Sequence, residues 1–509
     1  MSNRLLFIVL ASLFISRGLQ AQSRRPNIIF IISDDHAYQA ISAYGSKLAQ
    51  TPNIDRIARE GAIFTRAMVT NSICGPSRAT LLTGKYSHMN GYTLNEKKFN
   101  TDQFLFPELL RQHGYQTAWV GKWHLGSLPR GFDYWRILRG QGEYYNPDII
   151  QPGDTVRMEG YVTEVITGLS KHWLDGRDTS KPFCLIVGEK ATHREWLPDI
   201  QDLGAYDDKD LPLPATFYDD YAGRVAAGDQ DMTIDKTMRL KEDLKVHADY
   251  EKSGIYNRFT ASQRQAFYDY YENKISRAYD DRHDTGKALI RWKYERYLKD
   301  YLSVARSLDR NIGELLKYLD ENGLAKNTVV VYCSDQGFYL GEHGWFDKRW
   351  IYEESLRTPF MIRWPGVIRP GSSVSRLMLN IDWAPTLLDI AGVKAPSEVQ
   401  GTSFVPLLKG NTAAAGWRKA MYYHYYEFPQ PHHVYPHFGV RTERYKLARF
   451  YGPSDSWELY DLVTDPHEVH NLYGKAEYAG LVRSLKVQLR DLIRQYKDVE
   501  AEKILSEKP

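Results

Sequence analysis

Short apolar runs rich in β-branched residues recur along most of the chain and alternate with segments of helical periodicity. A run that is apolar at every position is typical of a strand buried on both faces of a sheet. We predict such strands at residues 27–32, 118–120, 183–187, 328–333 and 360–362. We predict helices at residues 51–60, 105–113 and 294–322, the last ending before Gly323. This alternation predicts an α/β fold with a large mixed, mostly parallel sheet.

Two regions depart from this pattern. Residues 200–295 are rich in tyrosine and charged residues and carry few strand signals, which predicts an inserted helical and loop region over one end of the sheet. After residue 395, four short segments at 420–426, 438–442, 445–450 and 458–462 predict a small antiparallel sheet, followed by a helix at 478–497. The predicted domains are therefore a catalytic domain at 23–395 and a C-terminal subdomain at 396–509.

The first 22 residues have the features of a signal peptide. Arg4 precedes an apolar run from Leu5 to Ile15, and Gln20-Ala21-Gln22 is a plausible cleavage region. The alternative is a membrane anchor, but the run is shorter than the roughly 20 residues that a span needs. We therefore expect a periplasmic or secreted protein without a stable membrane anchor.

Charge and cysteine content exclude two further classes of protein. The 509 residues contain 66 Lys+Arg and 63 Asp+Glu, so the chain lacks the basic excess of a nucleic-acid-binding protein. Three cysteines are too few for a disulfide framework. Cys184 and Cys333 fall in predicted strands and are interpreted as buried thiols. A bond between those two would require adjacent strands.

Polar side chains follow three of the predicted strands. Asp34 and Asp35 follow the first strand, Lys122 and His124 follow the strand at 118–120, and Asp335-Gln336 follows the strand at 328–333. Open α/β sheets bind ligands at the carboxyl ends of their strands. The oxygen donors among these residues suit Ca²⁺ or Mg²⁺ better than zinc.

The most specific motif is the continuous segment from Cys74 to Gly84, CGPSRATLLTG. Gly75 and Pro76 suit the entry to a helix, which would place Cys74 at a helix N-terminus near Arg78, a setting that favours anions and the thiolate. The segment resembles the signature of formylglycine-dependent (type I) sulfatases. Similar family blocks occur at residues 25–35, 51–55, 121–126, 334–337, 341–344, 348–359 and 459–472.

The resemblance covers nearly the whole mature chain and implies an alkaline-phosphatase-like α/β sandwich with a small C-terminal subdomain. It also implies that a maturation enzyme oxidises Cys74 to formylglycine, whose hydrate attacks the sulfur of a sulfate ester and then releases sulfate from a formylglycine-sulfate intermediate. An ordinary serine could perform the attack but not this release.

The resemblance further implies a role for each matching residue. Calcium would be held by Asp34, Asp35, Asp335 and Gln336 and would contact the modified Cys74. Arg78 would steady the hydrate, and Lys122 and Lys348 would bind sulfate oxygens. His124 would act as the base that breaks down the intermediate, and His193, helped by Lys348, would protonate the leaving oxygen.

One block departs from the family pattern. Relatives often have His-Lys-Ala-Pro-His where this chain has Glu189-Lys190-Ala191-Thr192-His193. The change leaves His193 in place and alters the surroundings of the leaving group.

Further blocks at residues 131–135, 141–147, 241–245 and 437–446 resemble N-acetylglucosamine-6-O-sulfatases, which act on glycosaminoglycans or mucin glycans. Arg194, Trp196 and His437 are the candidate sugar contacts. The alternatives are a sulfatase for another sulfated sugar, including a uronate 2-O-sulfate, or for an aryl or choline sulfate. A phosphatase or phosphodiesterase of the same superfold, and a sulfated-glycan binding protein without catalysis, are further alternatives.

Overall fold

The computed structural model describes residues 25–251, 254–411 and 416–507. The predicted signal peptide lies outside these residues. Within the described ranges, each helix is too short or too polar to cross a membrane.

The described chain contains strands that form one large sheet and three small ones. In chain order they are β1 (Asn27–Ser33), β2 (Ala62–Phe64), β3 (Ala67–Met68), β4 (Gln116–Gly121), β5 (Tyr134–Leu138), β6 (Asp148–Gln151), β7 (Asp154–Arg157), β8 (Phe183–Gly188), β9 (Thr328–Ser334), β10 (Tyr339–Leu340), β11 (Phe346–Asp347), β12 (Phe360–Arg363), β13 (Ser372–Val374), β14 (Met378–Leu379), β15 (Ala420–Tyr425), β16 (His437–Thr442), β17 (Tyr445–Phe450) and β18 (Ser456–Asp461).

Helices cover both faces of the large sheet and pack on the C-terminal one. They are α1 (Pro52–Arg59), α2 (Cys74–Thr83), α3 (Ser87–Asn90), α4 (Phe106–Gln112), α5 (Val162–Asp175), α6 (Val225–Asp229), α7 (Ala261–Phe267), α8 (Arg277–Arg282), α9 (Gly286–Glu321), α10 (Glu353–Leu356), α11 (Trp383–Ile390), α12 (Val405–Leu408), α13 (Ala479–Tyr496) and α14 (Val499–Ser506). A π-helix, Tyr268–Ser276, joins α7 to α8.

The ten-stranded sheet has the order β13-β2-β12-β9-β1-β8-β4-β5-β6-β7. Its centre is parallel, with β1 paired to β8 and β9 and with β4 paired to β8 and β5. β12 runs antiparallel to β9, and β6 and β7 form an antiparallel edge. The predicted mixed, mostly parallel sheet is confirmed.

Every residue of β1 is buried, because both faces of the sheet are covered. Ile29 and Ile31 pack into one apolar cluster with residues of α5 and α9. Ile28, Phe30 and Ile32 pack into the other, with residues of α2 and α11. The uninterrupted apolar sequence of β1 follows from this double burial.

The inserted region after residue 200 consists mainly of turns, with short helices near its end. Its aromatic side chains are buried together, as Tyr256, Phe259 and Phe267 show, and they pack on Tyr145 next to the sheet. The long helix α9 begins at Gly286, well before the predicted residue 294. Its first two turns are exposed or half-buried, so apolar spacing gave no sign of them.

The four-stranded C-terminal sheet is antiparallel in the order β15-β16-β17-β18, as predicted, and α13 packs against it. The final helix, α14, was not predicted. Cys184 lies on β8 and Cys333 on β9, and β1 separates these strands. The two thiols are therefore not bonded to each other, and Cys74 is also a free thiol in the described chain.

Candidate active site

Four adjacent parallel strands, β9, β1, β8 and β4, end at the same edge of the large sheet. The side chains that follow them meet there. The backbone N–H of Asp35, after β1, donates to Asp335 Oδ1, after β9, at 3.2 Å. Lys122, after β4, pairs with the Asp34 carboxylate. The order of the strands thus assembles the polar residues that the sequence places at strand ends.

Asp34, Asp35 and Asp335 form a buried carboxylate cluster, with one oxygen of each within 4.8 Å of the others. Burial, together with the charge of Asp34, raises the pKa of Asp335 to about 8. Burial also raises the pKa of Asp35 to about 6, although the ammonium of Lys348 opposes this. Burial acts on Asp34 as well, but Lys122 and other nearby cations hold its pKa well below the usual value. Lys122, Lys348 and Arg78 each pair with one of the three carboxyl groups and supply compensating positive charge.

Two oxygen atoms beside the cluster lack partners among the described residues. Asp34 Oδ1 and Gln336 Oε1 are buried and accept no hydrogen bond. Gln336 Nε2 donates to Asp35 Oδ1 at 2.5 Å, so the amide oxygen remains free. A buried set of carboxylate and amide oxygens fits a hard divalent cation such as Ca²⁺ or Mg²⁺.

Cys74 is the first residue of α2 and is fully buried beside this cluster. Its Sγ lies within 4.8 Å of ligand atoms of Asp34 and His193. The prediction that the helix terminus and Arg78 favour the thiolate is wrong for the unmodified residue. Burial, reinforced by the negative charge of Asp34, raises the pKa of the Cys74 thiol well above its usual value.

The entry to α2 is held by tight contacts around Gly75. Its backbone N–H donates to Asn95 Oδ1 at 3.0 Å, so a side chain from outside the helix caps it. A Cβ at Gly75 would lie 2.6 Å from the Tyr92 ring and 2.7 Å from Asn95 Oδ1. Only glycine fits here, next to Cys74.

Arg78, one turn along α2, connects the helix to the strand ends. Its Nε donates to Asp335 Oδ2 at 3.1 Å, and its Nη1 donates to the carbonyl oxygen of Lys122 at 2.9 Å. Arg78 and Asp335 are both buried. Arg78 therefore fixes the position of Cys74 relative to β9 and β4.

Two lysines face the carboxylates from different sides. Lys122 Nζ binds Asp34 and donates to Gln141 Oε1 at 2.5 Å. Lys348 Nζ donates to Asp35 Oδ2 at 2.7 Å. Burial alone would lower the pKa of Lys348, but the negative charge of Asp35 and its neighbours outweighs burial, and the pKa lies well above its usual value. Both ammonium groups therefore lie next to the cluster that also contacts Cys74.

The two predicted histidines lie at the same site. His193 Nδ1 donates to the carbonyl oxygen of Arg194 at 2.6 Å, which leaves Nε2, 3.8 Å from Asp35 Oδ2, as the free ring nitrogen. His124 is half-buried, and its Nδ1 has no partner among the described residues. Burial lowers the pKa of both imidazoles, and nearby lysine charges lower them further.

A cavity of about 300 Å³ lies against this cluster. The predicted residues Asp35, His193, Arg194, Trp196 and Lys348 line it. The other lining residues were not predicted as contacts and are Asn95, Glu96, Gln141, Phe338, Phe346, Asp347, Arg349, Glu427, Pro431 and His432.

Sequence signals existed for only part of this lining. Asp347 and Arg349 flank Lys348 and could have been included with it. Gln141 begins the block at residues 141–147, whose only signal is its resemblance to N-acetylglucosamine-6-O-sulfatases. Glu427 and His432 follow β15 in a segment without a distinctive pattern, and only the tertiary fold brings them to the cavity.

His437 is not available as a sugar contact. It is fully buried in β16, its Nδ1 donates to the carbonyl oxygen of Tyr435, and its Nε2 accepts from the backbone N–H of Ile351. Both ring nitrogens are thus used inside the protein, and the residue supports the packing of the C-terminal sheet. Trp196 is also fully buried, with its ring packed on Tyr297 and Phe346, so although the residue borders the cavity its side chain is not available as a sugar contact.

Comparisons with known proteins agree with this arrangement. Residues 26–393 match the model of the sulfatase family, and residues 341–495 match the C-terminal model of N-sulphoglucosamine sulphohydrolase. The chain is 48% identical to an N-acetylglucosamine-6-O-sulfatase of Bacteroides thetaiotaomicron over 94% of this chain and 88% of that one. It is 26% identical to N-acetylglucosamine-6-sulfatase of Capra hircus over 89% and 81% of the two chains.

Solved structures also resemble this chain. A complex of a protein with its substrate D-glucosamine-2-N,6-O-disulfate superposes with a TM-score of 0.92 at 47% identity, covering 94% of this chain and 99% of the other. The phosphonate monoester hydrolase of Agrobacterium radiobacter shares the fold, with a TM-score of 0.69 at 20% identity over 93% and 96% of the two chains. Together with the Cys74 segment and the carboxylate cluster, the match over residues 26–393 shows that this chain belongs to the sulfatase family.

Proposed function

We propose that this sulfatase hydrolyses the 6-O-sulfate ester of N-substituted glucosamine, most simply N-acetylglucosamine, in glycosaminoglycan or mucin glycans. The observation that carries the proposal is the cavity next to the carboxylate cluster and Cys74, which is lined by Lys348 and by a wall of mixed acidic and basic side chains. Such a wall suits the hydroxyl groups of a sugar. Lys122 lies outside this lining and pairs with Asp34 of the cluster. The relatives named for 6-O-sulfated glucosamine support this choice of substrate.

The residues present fit both groups that the family uses. Asp34, Asp35, Asp335 and Gln336 would hold calcium, since two of their oxygen atoms lack other partners. Calcium, when bound, supplies positive charge that polarises the sulfate ester. Formylglycine at position 74 supplies a hydrated aldehyde, whose second hydroxyl permits release of sulfate.

The two lysines would bind the sulfate group. Lys122 and Lys348 each carry an ammonium next to an aspartate of the cluster, so sulfate oxygens can be held between them beside residue 74. Fixed positive charges at this point stabilise the charge that develops as the S–O bond breaks. Arg78, which is held by Asp335, would keep residue 74 in line with them.

The two histidines would move protons on different sides of the sulfate. His193 lines the cavity, and because its Nδ1 donates to a backbone carbonyl, its Nε2 is the atom that would hold the proton for the leaving sugar oxygen. His124 does not line the cavity and would accept the proton when the covalent sulfate is released. Arg194, which lines the cavity, would contact the sugar.

The location and maturation of the enzyme form part of this proposal. The apolar segment at residues 5–15 supports export to the periplasm or the outside of the cell. Conversion of Cys74 would require a formylglycine-generating enzyme as a partner, because turning a thiol into an aldehyde is an oxidation that needs an external oxidant.

A panel of sulfated compounds tests the proposal. Free sulfate is measured after incubation of matured enzyme with N-acetylglucosamine carrying a 3-O-, 4-O- or 6-O-sulfate, with a uronate 2-O-sulfate and with an aryl sulfate. The proposal predicts release from the 6-O-sulfated sugar at the highest kcat/KM. Preferential release from another compound would retain the sulfatase activity and reject the substrate. Binding of the sugars without any release would support a binding protein.

A further inference from the structure

Arg194 is held in the cavity wall by a carboxylate that lies outside the cavity. Its Nε and Nη2 donate to the two oxygens of Asp243 at 2.8 and 2.7 Å. Asp243 comes from the inserted region and its side chain is fully buried. The guanidinium also lies over the Phe346 ring, with its central carbon 5.0 Å from the ring centroid. The side chain of Arg194 is therefore fixed before any ligand binds.

This arrangement leaves one part of the guanidinium available to a ligand. Nη1 of Arg194 donates no hydrogen bond within the described chain, and Arg194 lines the cavity. The Arg194 side chain is 22% exposed, so the free N–H groups can reach a bound molecule. A rigid guanidinium with free N–H groups is suited to an anion such as sulfate.

The other arginine of the cavity differs. Arg349 Nη1 donates to Glu427 Oε2 at 2.5 Å, and Asp347 lies 3.7 Å from its Nε. Both carboxylates line the cavity, so they neutralise Arg349 toward the ligand. Asp243, in contrast, does not line the cavity. Its charge is also shared with Arg239, whose Nη2 donates to Asp243 Oδ1 at 3.2 Å. Arg194 therefore presents more unmatched positive charge to the cavity than Arg349 does.

The segment that carries Arg194 is itself anchored to the insert. Lys245 Nζ donates to the carbonyl oxygen of Trp196 at 2.8 Å and to Asp300 Oδ2 on α9 at 2.9 Å. Asp243 and Lys245 thus hold the side chain and the backbone of the same short segment. The block at 241–245 forms a support for Arg194.

We propose that Arg194, positioned by Asp243, binds a second anionic group of the substrate, an N-sulfate on the glucosamine ring. The inference rests on the proposed function, in which Lys122 and Lys348 take the 6-O-sulfate. A separate cation is then needed for a second sulfate on the same sugar. The substrate in the similar solved complex carries both an N-sulfate and a 6-O-sulfate. The enzyme accordingly prefers N,6-O-disulfated glucosamine to 6-O-sulfated N-acetylglucosamine.

The test compares kcat/KM for these two sugars in wild type, Arg194→Gln, Asp243→Asn and Arg239→Gln. Arg194→Gln should lower the ratio of kcat/KM for the disulfated sugar to kcat/KM for the N-acetylated sugar by about ten- to a hundredfold, because a charge-assisted hydrogen bond to the N-sulfate is lost. Asp243→Asn lowers the ratio in the same direction, because Arg194 loses its fixed position. Arg239→Gln is the matched control, since Arg239 bonds the same carboxylate but does not line the cavity, and its ratio stays at the wild-type value.

Two results would overturn the inference. One is an unchanged ratio in Arg194→Gln, whether both activities stay at the wild-type level or fall equally. The other is a wild type that cleaves the N-acetylated sugar but not the disulfate. Failure of the wild type to cleave either sugar would instead reject the proposed function. Dissociation constants measured in a Cys74→Ala background give a second readout that does not depend on turnover. There, Arg194→Gln weakens binding of the disulfate more than binding of the N-acetylated sugar.

Discussion

Arg78 and Asp335 form an ion pair that is completely enclosed by protein, with Nη2 3.0 Å from Oδ2. Arg78 lies on the helix that begins with Cys74, and Asp335 follows the strand β9. The pair therefore joins the residue at the reaction centre to the edge of the sheet. It also neutralises a carboxylate that stands next to Asp34 and Asp35.

Arg78→Met should destabilise the protein by about 3–5 kcal/mol, because Asp335 would remain buried beside two other carboxylates without its partner. Urea denaturation measures the change. Arg282→Met is a suitable control, since Arg282 is half-exposed and pairs with Asp284 at the surface, and it should cost less than about 1 kcal/mol. Similar costs for the two variants would contradict the account of the buried pair.

Gly75→Ala should abolish sulfate release and lower the free energy of unfolding, because the new methyl group would collide with Tyr92 and Asn95. The matched control is Gly168→Ala. Gly168 lies within α5, and a Cβ there meets nothing within 4 Å, so the change should stabilise the protein by roughly 0.5–1 kcal/mol. Thermal unfolding and a sulfate assay distinguish the two. Normal activity in Gly75→Ala would show that the entry to α2 tolerates a side chain.

Calcium should raise the melting temperature of the protein, and chelation should lower it. A ligand at a hundred times its dissociation constant stabilises the native state by about 2.7 kcal/mol. Asp34→Asn should remove most of this dependence, because it weakens a donor set in which Asp34 Oδ1 has no other partner. An equal response to calcium in the wild type and in Asp34→Asn would place the ion elsewhere.

Glu458 should make stability depend on pH. Burial raises the pKa of this carboxyl from 4.5 to about 7, while Tyr352 and Tyr460 donate to one of its oxygens. The neutral acid is favoured in the fold, so its stabilising contribution is complete below pH 4.5 and is lost as the pH rises to 7. The loss amounts to about 3 kcal/mol.

Glu458→Gln keeps the oxygen that accepts from the two tyrosines and cannot ionise. The variant should therefore be more stable than wild type at pH 8, and the difference should vanish near pH 4.5. Denaturant unfolding at several pH values measures both curves. Parallel curves for the two proteins would show that Glu458 does not titrate in this range.

The sequence predicted the centre of the sheet because the strands there are apolar at every position. β1, β8 and β9 needed no tertiary information, and the polar residues at the strand ends followed from the same pattern. The antiparallel direction of β12 could not be predicted, since a buried strand such as Phe360–Arg363 has the same composition in either direction.

The metal donors and the cavity differ in how well the sequence indicates them. Asp34, Asp335 and Lys122 stand directly after strands, so strand order brings them together. Glu427 and His432 reach the cavity through an irregular segment whose path depends on the packing of the C-terminal sheet. His437 was wrongly predicted as a sugar contact, because its position in a family-like block gave no indication of its burial.

The central claim is that residue 74, as formylglycine, carries the hydrolysis of a 6-O-sulfate. The most direct measurement is sulfate release from 6-O-sulfated N-acetylglucosamine by wild type, Cys74→Ala and Cys74→Ser, each analysed by mass spectrometry for the state of residue 74. The wild type should release sulfate in proportion to its formylglycine content, and neither variant should turn the substrate over. Sulfate release by either variant at the wild-type rate, or no release by a fully converted wild type, would contradict the role of residue 74.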